Sequence, residues 1–174
     1  MAKNIIICDL DGCLIDTSWI WEVNKVLKLE SPQCWELFEN NANSSWSKID
    51  PVLLNYLNEK LKQGFFIEFL TARSKTILKE TIDFIEKTTG LKYGQNFDIL
   101  MRDPKDESPA VDYKRNAVTE RLSKREIVLA IDDDKSIVEM YKKEGINAVR
   151  WQIGSVPVKI IREIFSLSHL LGVE

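Results

Sequence analysis

Ile5-Ile6-Ile7-Cys8-Asp9-Leu10-Asp11-Gly12-Cys13-Leu14 is the stretch whose reading decides the fold. Ile5 to Cys8 predict a buried strand, because the run is too short and too β-branched for a helix. Asp9 and Asp11 follow at the strand's C-terminal end, and Gly12 allows a sharp turn there. In an open α/β sheet, ligands bind outside that end of the strands. Two carboxylates held so close repel each other unless a cation or a proton lies between them. A solvated polar turn would look the same locally, so the choice falls to the rest of the chain.

Working outward, short β-branched runs alternate with longer helical patterns. Strands are expected over 4–9, 65–70, 97–101, 127–131 and 148–151. Helices are expected over 51–63, 74–88, 114–122 and 135–143. The first of these opens with Asp50 as N-cap and Pro51 at the first helical position, and stops at Gly64. Such alternation predicts a parallel sheet with helices on both faces. Continuous apolar runs at the first and fourth strands fit burial on both sides.

Segment 18–48 interrupts the alternation. It carries Trp19, Trp21, Trp35 and Trp46, four of the five tryptophans of the chain, and the polar stretch 40–47. One or two short helices and a loop are expected, placed as a lid above the C-terminal edge of the sheet; a satellite core is the other reading of the tryptophans. A final amphipathic helix is expected over 156–171, with Ile160, Ile161, Ile164, Phe165 and Leu167 on its apolar face. It also holds the lone His169, read as structural.

The 174 residues favour one domain, 1–174, with 18–48 as an insertion. Hydrophobic residues make up 44% and charged residues 29%, an ordinary soluble composition. No apolar stretch reaches the length of a membrane span, and no signal-peptide pattern opens the chain, so no membrane partner is expected. Three cysteines without a CxxC pair argue against a disulfide framework or a zinc site, and a reducing cytoplasm is the expected location. A net charge of -3 speaks against a broad nucleic-acid-binding surface but leaves room for a local phosphate grip.

Three more segments bring polar groups to the same edge. The second strand leads into Thr71-Ala72-Arg73-Ser74, where a hydroxyl and backbone N–H groups entering a helix would cradle phosphate and Arg73 would add a planar fork. The fourth strand leads into Asp132-Asp133-Asp134, an oxygen-ligand set suited to Mg²⁺. Lys114 falls near the start of a helix after the polar loop 103–112. Each piece alone has a plain structural explanation; together they set a nucleophile, a phosphate grip, a cation and metal ligands on one sheet edge.

In order and type these segments resemble the haloacid dehalogenase (HAD) superfamily of phosphotransferases: DLDGCL at 9–14, Thr71, Lys114 and Asp132-Asp133. The resemblance implies a Rossmann-like α/β three-layer sandwich, with a central five-stranded parallel sheet and a small helical cap after the first strand. One departure is Cys13, where the family usually has Thr, a change that introduces an oxidisable thiol. FDILMR at 97–102, VDYK at 111–114 and IDDDKSIVEMY at 131–141 further resemble the 3′-phosphatase domain of bacteriophage-type polynucleotide kinase/phosphatase, which usually has Arg at the position of Asp134. The chain has no GxxxxGK[ST] phosphate loop, so no kinase half is expected. A phage-encoded protein acting in the host cytoplasm is compatible with this.

The resemblance implies a Mg²⁺-dependent phosphomonoester hydrolase that works through an aspartyl-phosphate. Asp9 would be the nucleophile and Asp11 the acid/base, with Thr71 and Lys114 on the phosphoryl oxygens. Mg²⁺ would be held by Asp9, the Asp11 backbone carbonyl, Asp132 and Asp133. Arg73, Arg102 and Cys13 are candidates for contact with the rest of the substrate. Expected substrates are 3′-phosphorylated nucleic acid ends. The alternatives are a 5′- or 3′-nucleotidase acting on free nucleotides and a non-catalytic binding protein on the same scaffold. The sequence is silent on oligomeric state.

Overall fold

The opening apolar run becomes the middle of a sheet, covered from both sides. In the computed structural model, which describes residues 4–154, the chain begins with β1 (Ile5–Cys8), β2 (Ile15–Asp16), α1 (Ser18–Leu27), α2 (Gln33–Asn41), β3 (Lys48–Ile49) and α3 (Pro51–Lys62). It continues through β4 (Phe66–Ser74), α4 (Leu78–Thr89), β5 (Phe97–Arg102), α5 (Ala110–Asn116), β6 (Ile127–Asp132), α6 (Lys135–Lys143) and β7 (Ala148–Arg150). The helix expected over 156–171, with His169, lies outside the described residues. No helix among the described residues is long and apolar enough to cross a membrane.

The five-stranded sheet has the order β5-β4-β1-β6-β7 and every pairing in it is parallel. Alternation along β1 explains the three layers. Ile6 and Cys8 pack with Leu53, Leu57 and Ile85 of α3 and α4, whereas Ile5 and Ile7 pack with Tyr113, Ile137, Val138 and Tyr141 of α5 and α6. Chain order reverses around β1, so the carboxyl ends of β4, β1 and β6 open onto one crevice.

Several boundaries differ from the expected ones. β4 runs on to Ser74, because after a bulge Ser74 still pairs with Arg102 of β5. A 3₁₀ turn over Lys75–Ile77 then precedes α4, so the backbone after Thr71 is strand and provides no helix N-terminus for phosphate. α5 begins at Ala110, behind an extended Pro109, and a π-helical turn over Ala117–Arg121 extends it. Lys114 therefore sits within the helix. The short antiparallel pair of β2 and β3, at the base of the 18–48 insertion, has no sequence signal of its own. Inside the insertion, α1 and α2 close a small cluster of Ile20, Phe38 and Ala42.

Asp50 caps α3 as expected, accepting at Oδ1 from the N–H groups of Val52 and Leu53, both at 2.9 Å. Its other oxygen accepts from Trp151 Nε1 at 3.2 Å, which ties the end of the sheet to the start of that helix. Asp50→Ala removes the cap and leaves a buried indole N–H unpaired. A loss of about 2 kcal/mol is expected, seen as a lower urea midpoint, with partial recovery in Asp50→Asn. An unchanged midpoint in the alanine variant would contradict this assignment.

Candidate active site

β1 and β6 are neighbours in register, Cys8 beside Ile131, so Asp9 and Asp132 emerge side by side. Asp133 follows one residue later. Oxygens of Asp9, Asp132 and Asp133 lie within 4.8 Å of one another. α5, packed on the opposite face from α3 and α4, sends Lys114 up between them: its Nζ lies 3.0 Å from Asp9 Oδ1 and 2.7 Å from Asp132 Oδ2. Gly12 closes the turn at φ 73°, and a Cβ there would stand 2.5 Å from Asp133 Oδ2. Glycine is thus required both for the turn and for the close approach of this carboxylate.

Burial dominates the electrostatics. It pushes the Asp9 carboxyl up to about 7, against the pull of Lys114 and with a further push from Asp132. Asp133 rises to about 6, through burial and then Asp9, and Asp132 rises through burial while Lys114 resists. Although burial opposes its charge, Asp9 and Asp132 hold Lys114 protonated well above the usual lysine range. Three carboxylates against one ammonium leave two negative charges uncompensated when all are ionised. A hard divalent cation with oxygen ligands matches both that deficit and the donor set.

Asp11 is turned to other company. Arg73 Nε donates to Asp11 Oδ2 at 2.8 Å and Nη2 donates to Oδ1 at 2.7 Å, a two-pronged ion pair. Thr17 Oγ1 adds a third hydrogen bond to Oδ1 at 3.1 Å. Thr71, buried at the end of the apolar part of β4, accepts at Oγ1 from the Arg73 N–H at 3.2 Å. Asp9, Asp11, Thr71, Arg73, Lys114 and Asp132 all border one cavity of about 730 Å³. Trp21, Trp35 and Phe38 of the insertion form an aromatic wall of that cavity. Arg102 stands on its border as well, its guanidinium carbon 5.4 Å from the Tyr113 ring centroid and its Nε without a hydrogen-bond partner.

Two expectations require correction. Cys13 cannot contact substrate: the turn sends it into the apolar cluster with Cys8, Leu10 and Leu14, where it is fully enclosed. Burial pushes its thiol well above the usual range, and the neighbouring Cys8 adds to this; the thiolate needed for facile oxidation is suppressed. Arg73 has a wholly buried side chain and its fork is engaged by Asp11, so it is not free to grip the distal part of a substrate. Of the two arginines expected there, only Arg102 keeps an unengaged donor at the cavity. The third aspartate of the triplet, Asp134, caps α6 by accepting from the Ser136 N–H at 2.6 Å. Thr17, Asn43 and Thr81, which surround the Asp11–Arg73 pair, went unnoticed in the sequence; the only hint was the polar character of 40–47.

A family model described as HAD superfamily, subfamily IIIB (acid phosphatase), matches residues 1–152. No curated protein sequence matches significantly. Among solved structures, a chain of the Pnkp1/Rnl/Hen1 RNA repair complex is similar with a TM-score of 0.68 and 20% identity, over 88% of this chain and 44% of that one. The class C acid phosphatase from Bacillus anthracis with tungstate bound gives 0.64 at 19% identity, over 88% and 68%. A haloacid dehalogenase-like hydrolase from Streptococcus pneumoniae gives 0.59 at 14%, over 95% and 90%. At such identities the likeness is one of fold, and the chain spans less than half of the RNA repair protein it resembles.

The acidic cluster makes stability depend on pH in a predictable direction. Asp9 and Asp133 bind protons more tightly folded than unfolded, so their contribution is full below the ordinary carboxylate range and is lost as pH rises through about 6 to 7. Glu68, buried elsewhere in β4 and also raised to about 7, first by burial and then by Asp98, acts in the same direction. Metal-free protein should therefore melt at a lower temperature at pH ~8 than at pH ~5.5, and Mg²⁺ should restore more stability at the higher pH. A Glu68→Gln background removes the part unrelated to metal. Equal stabilisation by Mg²⁺ at both pH values would count against the assigned ligand set.

Proposed function

The chain belongs to the HAD superfamily, subfamily IIIB, a phosphatase family, and from that premise we propose that it is a Mg²⁺-dependent phosphomonoesterase that removes 3′-phosphates from nucleic acid ends. The observation that carries the reading is the Lys114 ammonium held between Asp9 and Asp132 in the cavity wall, with Asp11 separately gripped by Arg73. Two aspartates of one turn thereby acquire different surroundings and are suited to different tasks.

Asp9 attacks phosphorus in line with the leaving oxygen, forming an aspartyl-phosphate as the P–O ester bond breaks. Asp11 takes the part of general acid, giving a proton to the departing alkoxide. It then takes a proton from the water that attacks the aspartyl-phosphate, which releases inorganic phosphate and restores Asp9. Lys114 and the Thr71 hydroxyl hold the transferring oxygens and balance their charge. Mg²⁺, held by Asp9, Asp132, Asp133 and the Asp11 carbonyl, would supply charge neutralisation to the phosphoryl group and keep the buried Asp9 ionised. The insertion serves as a lid whose aromatic wall excludes water.

For the leaving group, Trp21 and Trp35 present aromatic surface opposite the reacting edge, and Trp35 is 55% exposed. Rings so placed suit stacking of an unpaired base. Arg102 offers a donor to a neighbouring phosphate or sugar oxygen. The fold shared with an RNA repair protein supports the nucleic acid reading. The same wall would serve a free nucleotide, so the mononucleotidase reading remains the alternative.

Asp9→Asn should reduce hydrolysis of a generic phosphomonoester to background with Mg²⁺ present while the fold is retained; near-wild-type turnover in that variant would sink the mechanism. Substrate class is decided by comparing kcat/KM on a 3′-phosphorylated oligonucleotide with that on 3′- and 5′-mononucleotides. A preference of about tenfold or more for the oligonucleotide is expected, and the opposite preference would replace this reading with the nucleotidase one.

A further inference from the structure

The loop over 40–47, between α2 and β3, brings the insertion against Arg73 of β4 and Thr81 of α4. There Asn43 Oδ1 accepts from Arg73 Nη1 at 2.6 Å, and Asn43 Nδ2 donates to Thr81 Oγ1 at 3.1 Å. Arg73 Nη1 also reaches Thr81 Oγ1, at a longer 3.3 Å. The remaining donors of the guanidinium, Nε and Nη2, are the two that hold Asp11. A guanidinium is planar, so whatever fixes Nη1 also fixes the plane in which Nε and Nη2 lie. The Phe38 ring of α2, with its centroid 5.8 Å from the guanidinium carbon, packs against the same group. Just before the insertion begins, Thr17 binds Asp11 directly.

The geometry points to Asn43 as a positioning residue for Asp11, acting through Arg73; we infer that the insertion, together with Thr17 at its entry, clamps the proton-transferring carboxyl. The inference rests on the reading above, in which Asp11 moves the proton. Without the Asn43 oxygen, Nη1 keeps only its longer contact to Thr81, and the plane of the fork can tilt. A misplacement of about 1 Å at a reacting group is enough to lose about a hundredfold in rate. The loss is selective. It falls on substrates whose leaving alkoxide needs a proton, and spares those whose leaving group departs as a stable anion.

The test compares Asn43→Ala, Asn43→Asp, Thr81→Val and Asp11→Asn on two substrates, a 3′-phosphorylated oligonucleotide and p-nitrophenyl phosphate. The quantity read is kcat/KM, which covers only the steps up to departure of the leaving group. Asn43→Ala should lose about thirtyfold or more on the oligonucleotide and less than about threefold on the aryl ester. Asn43→Asp keeps the acceptor oxygen and should recover most of the loss. Thr81→Val, which removes the acceptor of Asn43 Nδ2 and the longer contact of Nη1 but keeps the Asn43 oxygen on Arg73, should give a smaller split in the same direction. Equal losses on both substrates in Asn43→Ala, or no recovery in a folded Asn43→Asp, would overturn the inference while leaving the function standing, provided Asp11→Asn itself shows the split. Absence of the split in Asp11→Asn would sink the proton-transfer reading and the inference with it. Thermal melts of all four variants separate these effects from loss of fold.

Discussion

One ammonium group between buried carboxylates is the interaction on which the arrangement depends. Asp9 and Asp132 stand at the ends of two adjacent apolar strands and are almost wholly buried. Left unpaired, each would carry a desolvation penalty of several kcal/mol. Lys114 can reach both only because α5 and the π-helical turn after it pack on the sheet face beneath them, through Tyr113 and Ala117. The same contacts that cover Ile5 and Ile7 therefore deliver the charge that makes the crevice tolerable. Even so, one cation does not balance three carboxylates, and burial, reinforced by the neighbouring carboxylates, keeps Asp9 and Asp133 raised.

A second balance is struck a few residues away, and the two do not merge. Gly12 reverses the chain immediately after Asp11, and the Asp11 carboxylate is taken up by Arg73 from the neighbouring strand. Arg73 is in turn held by residues from the insertion and from α4. Insertion and sheet are thereby connected through a polar relay, while the aromatic cluster of Trp21, Trp35 and Phe38 stays on the cavity side. Two carboxylates separated by a single leucine thus live in different electrostatic settings, one facing a lysine and an acidic cluster, the other a guanidinium.

Much of this was legible in the residues. Continuous burial of 5–8 and 127–131 follows from unbroken apolar runs, and the α3 boundary follows from Asp50 and Pro51. The edge residues Asp9, Asp11, Thr71 and Asp132 could be assembled because strand ends in a parallel sheet point the same way, and Lys114 joined them through the resemblance of its motif. Illegible features all depended on partners distant in sequence. The extension of β4 to Ser74 is set by pairing with Arg102, and the cap of Trp151 on Asp50 spans a hundred residues of chain. Cys13 was a candidate because it stands in the motif of Asp9 and Asp11, where the resembled family has Thr, yet its neighbours in space are apolar.

By itself the sequence determined the alternation of strands and helices, the parallel sheet, and which acidic and basic residues would gather at its carboxyl edge, since these follow from local periodicity and strand polarity. Only the tertiary structure decided what each gathered group is doing there. Arg73 became the holder of Asp11, Cys13 became core, Asp134 became a helix cap, and Asn43 became the contact between insertion and Arg73. A charged or polar side chain takes its role from the one partner within hydrogen-bond reach, and that partner is set by packing between elements, which no local pattern records.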